Sequence, residues 1–155
     1  MASEDVFILG IRMTKFGKHK ELDTVDLATE ATLAALADGG VTMKDMNIIA
    51  AGNLMGGSMP IAQVIQKACG QTGIPAYNVS NACATGATAL RVVGMSIKAG
   101  ESDMGLAVGV EKLAGAGLLA GGIQTRWVSV PAWAFDHRHR SPGDPSNAVQ
   151  YLQDG

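Results

Sequence analysis

Aromatic side chains are scarce in this chain, with two Trp, two Tyr and three Phe making up 5% of its 155 residues. A core must therefore come mostly from Ala, Val, Ile, Leu and Met, and the 47% hydrophobic content is enough for one. Two cysteines, Cys69 and Cys83, are too few for a disulfide framework, so a reducing compartment is the simpler reading. Charge of either sign is nearly balanced, and a net −2 gives no electrostatic case for nucleic acid or an anionic membrane surface. No apolar run reaches the ~20 residues needed to span a bilayer. The nearest candidate, residues 104–123, is broken by Glu111 and Lys112. Met1-Ala2-Ser3-Glu4-Asp5 is acidic and lacks a signal-peptide pattern, and Leu152-Gln153-Asp154-Gly155 is not a peroxisomal tripeptide signal. The expectation is a cytoplasmic globular protein of about one domain in size.

What is present is an alternation of apolar runs and amphipathic stretches. Val6-Phe7-Ile8-Leu9 reads as a strand covered on both faces. Asp23 is a plausible N-cap for a helix to about Asp38, with Leu27, Ala31, Ala34 and Ala35 on one face and Gly39-Gly40 closing it. Ile48-Ile49-Ala50-Ala51 reads as a second strand. Pro60 opens a helix with Ile61, Val64, Ile65, Ala68 and Cys69 on one stripe, which makes Cys69 a core residue. Ala76-Tyr77-Asn78-Val79 is a third strand, followed by a helix with Leu90, Val93, Gly94 and Ile97 aligned and Gly100 as its stop. Residues 104–110 are a fourth strand. Such alternation predicts an α/β fold with a mainly parallel, mixed sheet and flanking helices over residues 1–112. From Leu113 the character changes to Gly- and Ala-rich, then aromatic and Pro-bearing, so residues 113–155 read as the start of a loop region. No repeat of solenoid length appears.

Cys83 is the residue with most chemical content. The run Asn78-Val79-Ser80-Asn81-Ala82-Cys83-Ala84-Thr85-Gly86-Ala87 closes a strand and opens a helix, which places Cys83 at a helix N-terminus. Unsatisfied N–H groups and the helix dipole favour a thiolate there, so the thiol pKa is expected to fall. Small neighbours leave room for an acyl group. Two readings stand on spacing alone: a nucleophile carrying an acyl thioester, or a buried structural cysteine in a small-residue helix.

The elbow Asn81-Ala82-Cys83-Ala84-Thr85-Gly86 resembles the nucleophile motif of the thiolase superfamily, in particular the sterol-carrier-protein type and the archaeal acetyl-CoA acetyltransferase type. Met13-Thr14-Lys15-Phe16-Gly17-Lys18 resembles the end of that family's first strand. Gly73-Ile74-Pro75-Ala76 resembles the entry to its third, and Ala107-Val108-Gly109-Val110-Glu111-Lys112 its fourth strand and exit. Arg12 departs from the pattern, standing where these relatives often carry Gly. The resemblance implies the N-terminal half of a thiolase-like fold, incomplete relative to the family. It implies Cys83 as the nucleophile and acyl carrier, its backbone N–H as an oxyanion donor, and acyl-CoA or 3-ketoacyl-CoA as substrates. Coenzyme A is then substrate or product, with no covalently bound cofactor. The family's second half carries a Gly-His-Pro motif, an Asn motif that orients water and a Cys-x-Gly motif. This sequence contains no Gly-His-Pro, and neither cysteine is followed two residues later by glycine. The isolated chain is expected to be inactive in turnover. Its expected partners are a second copy or a second thiolase-half polypeptide. Alternatives are a non-catalytic half-domain acting by association and a fragment of a ketosynthase-like condensing enzyme.

Other clusters carry less. His137-Arg138-His139-Arg140 reads as a solvated basic loop with no acidic or cysteine partner at metal-ligand spacing. Asp136 and His137 form a dyad only if the loop folds over Cys83. Arg12, Lys15, Lys18, His19 and Lys20 form a basic run that reads as a solvated turn, with contact to coenzyme A phosphates as its functional alternative. Gly56-Gly57 lacks a dinucleotide-binding pattern, and Gly115, Gly117, Gly121 and Gly122 fit a close approach of backbone to an acyl-CoA tunnel or a flexible link equally. No metal site and no cofactor-binding residue is assigned.

Overall fold

A computed structural model of the chain describes residues 5–54 and 59–113. Helix α1 (Thr24–Asp38) starts at Asp23, as the capping pattern predicts. Asp23 Oδ1 accepts from the Asp26 N–H at 2.8 Å, and Asp26 Oδ2 accepts from the Asp23 N–H at 2.8 Å. This reciprocal pair satisfies donors that a helix start leaves open and sets negative charge at the positive end of the dipole. A short 3₁₀ turn (Met43–Asp45) leads into strand β1 (Ile48–Gly52). Helix α2 (Ile61–Cys69), strand β2 (Ala76–Asn78), helix α3 (Thr85–Lys98) and strand β3 (Gly105–Gly109) follow.

The sheet has the order β2-β1-β3, and β1 is parallel to both neighbours. Ala50 lies opposite Tyr77 on one side and Ala107 on the other. All of β1 is buried, as a two-faced apolar run requires. Successive side chains point to opposite faces. Ile49, Ala51, Leu106 and Val108 pack with Ala28, Leu36, Ile61 and Ile65 under α1 and α2. Ile48 and Ala50 pack with Ala89 and Val93 under α3. The second face is built from small residues, so α3 sits close: a β-carbon at Gly105 would lie 2.6 Å from Val93 Cγ1.

Three expectations shift. The buried face of α1 is Leu27, Ala28, Thr32 and Leu36, not Leu27, Ala31, Ala34 and Ala35. Alanine on every side of this helix blurs the stripe, and Leu36 decides the facing. On α3 the buried residues are Thr85, Ala89 and Val93, while Leu90 is 53% exposed. Most clearly, residues 6–9 form no strand. A strand forms when ladder bonds and cover on both faces arrive together, and here neither does: Val6, Phe7, Ile8 and Leu9 are 38–78% exposed. The chain just beyond is tied to the end of α1 instead. The Ile11 N–H donates to Asp38 Oδ2 at 3.0 Å, and Arg12 Nη2 lies 3.1 Å from Asp38 Oδ1. Residues 6–9 border a cavity of about 320 Å³ beside β3, which Val93 and Ile97 also line. Residues 114–155, with His137, His139 and the Gly115–122 cluster, lie outside the described residues, as does Gly56-Gly57.

Candidate active site at the carboxyl edge of the sheet

Because the strands are parallel, Gly52, Asn78 and Gly109 end at the same edge. In open α/β sheets this is the edge where ligands bind. After β2, the Val79 N–H continues the ladder by donating to the Ala51 carbonyl at 3.0 Å. The chain then reverses sharply. Asn81 has φ −149° and ψ 49°, and Ala82 is left-handed at φ +47°. For a residue with a β-carbon that conformation costs about 1–2 kcal/mol. A single 3₁₀ turn (Ala82–Ala84) carries Cys83 at its centre, and α3 begins at Thr85.

Cys83 is exposed. It lies two residues before α3 begins, on a tighter turn than the strand-to-helix pattern predicts. The buried-structural reading of this cysteine does not hold, because its side chain is not in either core cluster. Cys69 behaves as its stripe predicts. It is half-buried against the α1–α2 core, and that burial pushes its thiol pKa up from the ordinary value.

The turn is held by hydroxyls and by missing side chains. Thr85 Oγ1 accepts from the Asn81 N–H at 2.9 Å and donates to the Ala82 carbonyl at 2.8 Å. Asn81 Nδ2 donates to Thr88 Oγ1 at 3.0 Å, and Thr88 Oγ1 donates to the Ala84 carbonyl at 3.0 Å. Gly52 lets the turn rest on β1: a β-carbon there would collide with the Val79 carbonyl oxygen and lie 2.6 Å from Thr85 Cγ2. On the other side of the elbow, Asn78 Oδ1 accepts from the Ala62 N–H at 2.9 Å, and Asn78 Nδ2 donates to Gln63 Oε1 at 2.7 Å. The end of β2 thus caps the start of α2. The sequence alone singles out neither Gly52 nor the capping role of Asn78, which enters there only as a residue of the third strand. The available signal was that β1 and β3 both finish in glycine.

The basic run does not gather at Cys83. Arg12 is paired with Asp38, and His19 Nε2 is 2.6 Å from the Lys15 carbonyl. Arg12, Lys15, His19 and Lys112 line a cavity of about 280 Å³ between α1 and β3, and Cys83 is not part of its wall. The Leu54 N–H donates to Glu111 Oε2 at 2.7 Å, which ties the exits of β1 and β3 together. Among the described residues no group of three or more His, Cys, Asp or Glu side chains is placed to hold a metal ion. No described helix is long and apolar enough to cross a membrane.

A family model described as the thiolase N-terminal domain matches residues 6–124. The chain belongs to the thiolase family. This thiolase-family chain is 42% identical over 123 residues to sterol carrier protein 2 of Gallus gallus, covering 78% of this chain and 22% of that protein. It is 37% identical over 113 residues to acetyl-CoA acetyltransferase of Methanothermobacter thermautotrophicus, covering 70% of this chain and 30% of the other. The chain spans less than a third of the length of these relatives. Among solved structures, 3-oxoacyl-[acyl-carrier-protein] synthase III of Aquifex aeolicus superposes with a TM-score of 0.56 at 27% identity, over 61% of this chain and 32% of that one. OleA of Xanthomonas campestris shares the fold at 17% identity, with a TM-score of 0.50 over 54% of this chain and 26% of its own.

Proposed function

We propose that this thiolase-family domain takes an acyl group from an acyl-CoA or 3-ketoacyl-CoA onto Cys83 as a thioester. The observation that carries this reading is the placement of Cys83, exposed on a 3₁₀ turn that opens with a left-handed Ala82, at the carboxyl edge of a parallel sheet and just before α3. In this reading the Cys83 thiolate attacks the thioester carbonyl carbon, and negative charge builds on the carbonyl oxygen. With an acyl-CoA the C–S bond to coenzyme A then breaks, coenzyme A leaves as a thiolate that takes a proton from water, and the acyl group stays on Sγ. With a 3-ketoacyl-CoA the attack falls on the 3-keto carbonyl, the C2–C3 bond breaks, and acetyl-CoA leaves as an enolate that takes a proton from water. The Cys83 N–H is the donor we assign to the oxyanion. The start of α3 supports it, since Ala84 at the N-cap offers no side-chain acceptor to the first-turn N–H groups.

Turnover needs more than the cysteine. A positioned general base contributes about 10²–10⁴ in rate, and one oxyanion donor about 10²–10³. The family places its His base and second oxyanion donor in segments that this sequence does not contain. We therefore assign residues 1–112 as the acyl-carrying domain and residues 113–155 as the start of the loop region. The rest of the machinery is assigned to a longer chain or to a second thiolase-half polypeptide in the cytoplasm, and a second copy of this chain is assigned only as a partner in a homo-oligomer. The strand β2 and its continuation, residues 76–80, is the edge we assign to pairing with a copy. Tyr77 there is 49% exposed, and β2 pairs with β1 alone among the described strands.

Incubation with acetyl-CoA tests the reading. One acetyl group should appear on the Cys83 peptide by mass spectrometry, be absent in Cys83→Ala, and be removed by added coenzyme A. Thiolysis of acetoacetyl-CoA by this chain alone should show no multiple turnover. A folded chain that stays unmodified on Cys83 sinks the acyl-carrier reading and favours a half-domain acting by association. The similarity to a 3-oxoacyl-[acyl-carrier-protein] synthase III favours a second reading, a ketosynthase-like donor preference. Faster acetylation of Cys83 from an acyl-carrier-protein thioester than from acetyl-CoA would select it.

A further inference from the structure

Thr85 bridges the two sides of the turn that carries Cys83. Its hydroxyl accepts from the Asn81 N–H on the strand side and donates to the Ala82 carbonyl within the turn, at 2.9 and 2.8 Å. A threonine hydroxyl has one proton to give, and here it is committed to the one residue in the turn with a left-handed backbone. Alanine gains nothing of its own from φ +47°, so the conformation has to be held from outside. Thr85 is 5% exposed, so its hydroxyl is shielded from bulk water, while Asn81 and Ala82, which it joins, lie at the surface. The methyl group does a separate job. It sits against Gly52, where a β-carbon would lie 2.6 Å from Thr85 Cγ2. One side chain thus locks the turn through its oxygen and seats the turn on β1 through its methyl.

We propose that Thr85 is the positioning residue for Cys83: its hydroxyl holds Ala82 left-handed and so fixes where the Cys83 Sγ and N–H point. The purpose of this clamp rests on the acyl-carrier reading of Cys83, while the clamp itself does not.

Two substitutions separate hydroxyl from methyl. Thr85→Val keeps the shape and removes both bonds, and Thr85→Ser keeps the hydroxyl and removes the methyl. In the full chain, acetylation of Cys83 by acetyl-CoA should slow about tenfold in Thr85→Val and stay within about twofold of wild type in Thr85→Ser. Hydrogen exchange at the Asn81 amide should accelerate about tenfold in Thr85→Val and not in Thr85→Ser. Slow alkylation of Cys69 in the same samples reports that the core is intact. If Thr85→Val loses that protection, Thr85→Ala replaces it as the variant without the hydroxyl. Wild-type exchange at Asn81 in the folded variant without the hydroxyl overturns the proposal. So does an equal loss in Thr85→Ser, which would make the role one of packing. If wild-type Cys83 takes no acetyl group, the acyl-carrier reading fails by itself, and the exchange measurement still decides the clamp.

Discussion

Gly86 in the first turn of α3 and Gly109 at the end of β3 meet backbone against backbone. A β-carbon at Gly109 would lie 2.8 Å from the Gly86 Cα, whereas a β-carbon at Gly86 would lie 3.6 Å from the Gly109 Cα. The contact is therefore asymmetric. It sets the start of α3, and with it the Cys83 turn, directly on the end of the sheet.

Gly109→Ala should be destabilising by about 1–3 kcal/mol, since a β-carbon there must push helix backbone away from strand backbone. Gly86→Ala places a methyl at ordinary contact distance inside a helix and should be neutral or stabilising by about 0.5–1 kcal/mol. Urea denaturation of both variants checks the pair. Equal losses would show that α3 does not approach β3 in this way.

Cys83 is exposed and Cys69 is half-buried with its thiol pKa raised by desolvation. A raised thiol pKa keeps Cys69 protonated until pH rises through that higher value, so its thiolate is depleted near neutrality. Limiting iodoacetamide near neutral pH should label Cys83 well before Cys69, with the order read by peptide mass spectrometry. The preference should disappear in denaturant. Equal labelling of the two under native conditions, with helix content intact by circular dichroism, would show that Cys83 is not held on an exposed elbow.

Ile65 is fully buried in the α1–α2 core, while Leu90 is 53% exposed on α3. Ile65→Ala should cost about 2–5 kcal/mol in unfolding free energy. Leu90→Ala should fall within about 0.5 kcal/mol of wild type. A large loss at Leu90 would restore the stripe that the sequence pattern places on that side of α3.

Asp45 Oδ2 accepts from the Thr42 N–H at 2.7 Å and from the Thr42 hydroxyl at 2.8 Å. Those bonds, the backbone one first, hold its carboxyl below the ordinary 3.8. A depressed folded pKa stabilises the fold above the unfolded value and loses that contribution as pH falls through the folded one. The denaturation midpoint of wild type relative to Asp45→Asn should therefore drop as the medium is acidified through and below the ordinary carboxylate range. A difference between the two that does not change with acid would mean that the 3₁₀ turn is not held by this carboxylate.

Strand β1 and helices α1 and α2 were legible because their signals are local. Ile48-Ile49-Ala50-Ala51 is apolar on both faces, Asp23 carries its own cap partner three residues on, and Pro60 marks a helix start. Residues 6–9 carry an equally apolar signal and form no strand, because pairing depends on a neighbour's edge. Here Asp38 fixes the following residues at the end of α1. The α1 stripe was misplaced because alanine carries too little hydrophobic contrast to choose a face. Cys83 was found from its neighbours, whereas Gly52 carried no local hint of its contact with Thr85, which lies 33 positions away in the numbering.

Local signals along the chain are enough for the order of helices and strands after residue 23, the capping of α1, and a cysteine set among small residues where a strand gives way to a helix. Only the folded chain shows that Cys83 stands exposed on a 3₁₀ turn before α3. It also shows that Gly52, Thr85, Gly86 and Gly109 act together. The physical reason is one of range. Capping, periodicity and turn chemistry act within a few residues, so they are written locally. The close approach of α3 to the ends of β1 and β3 depends on β-carbons missing from residues far apart in the chain. That complementarity exists only once the parallel strands have brought their carboxyl ends together.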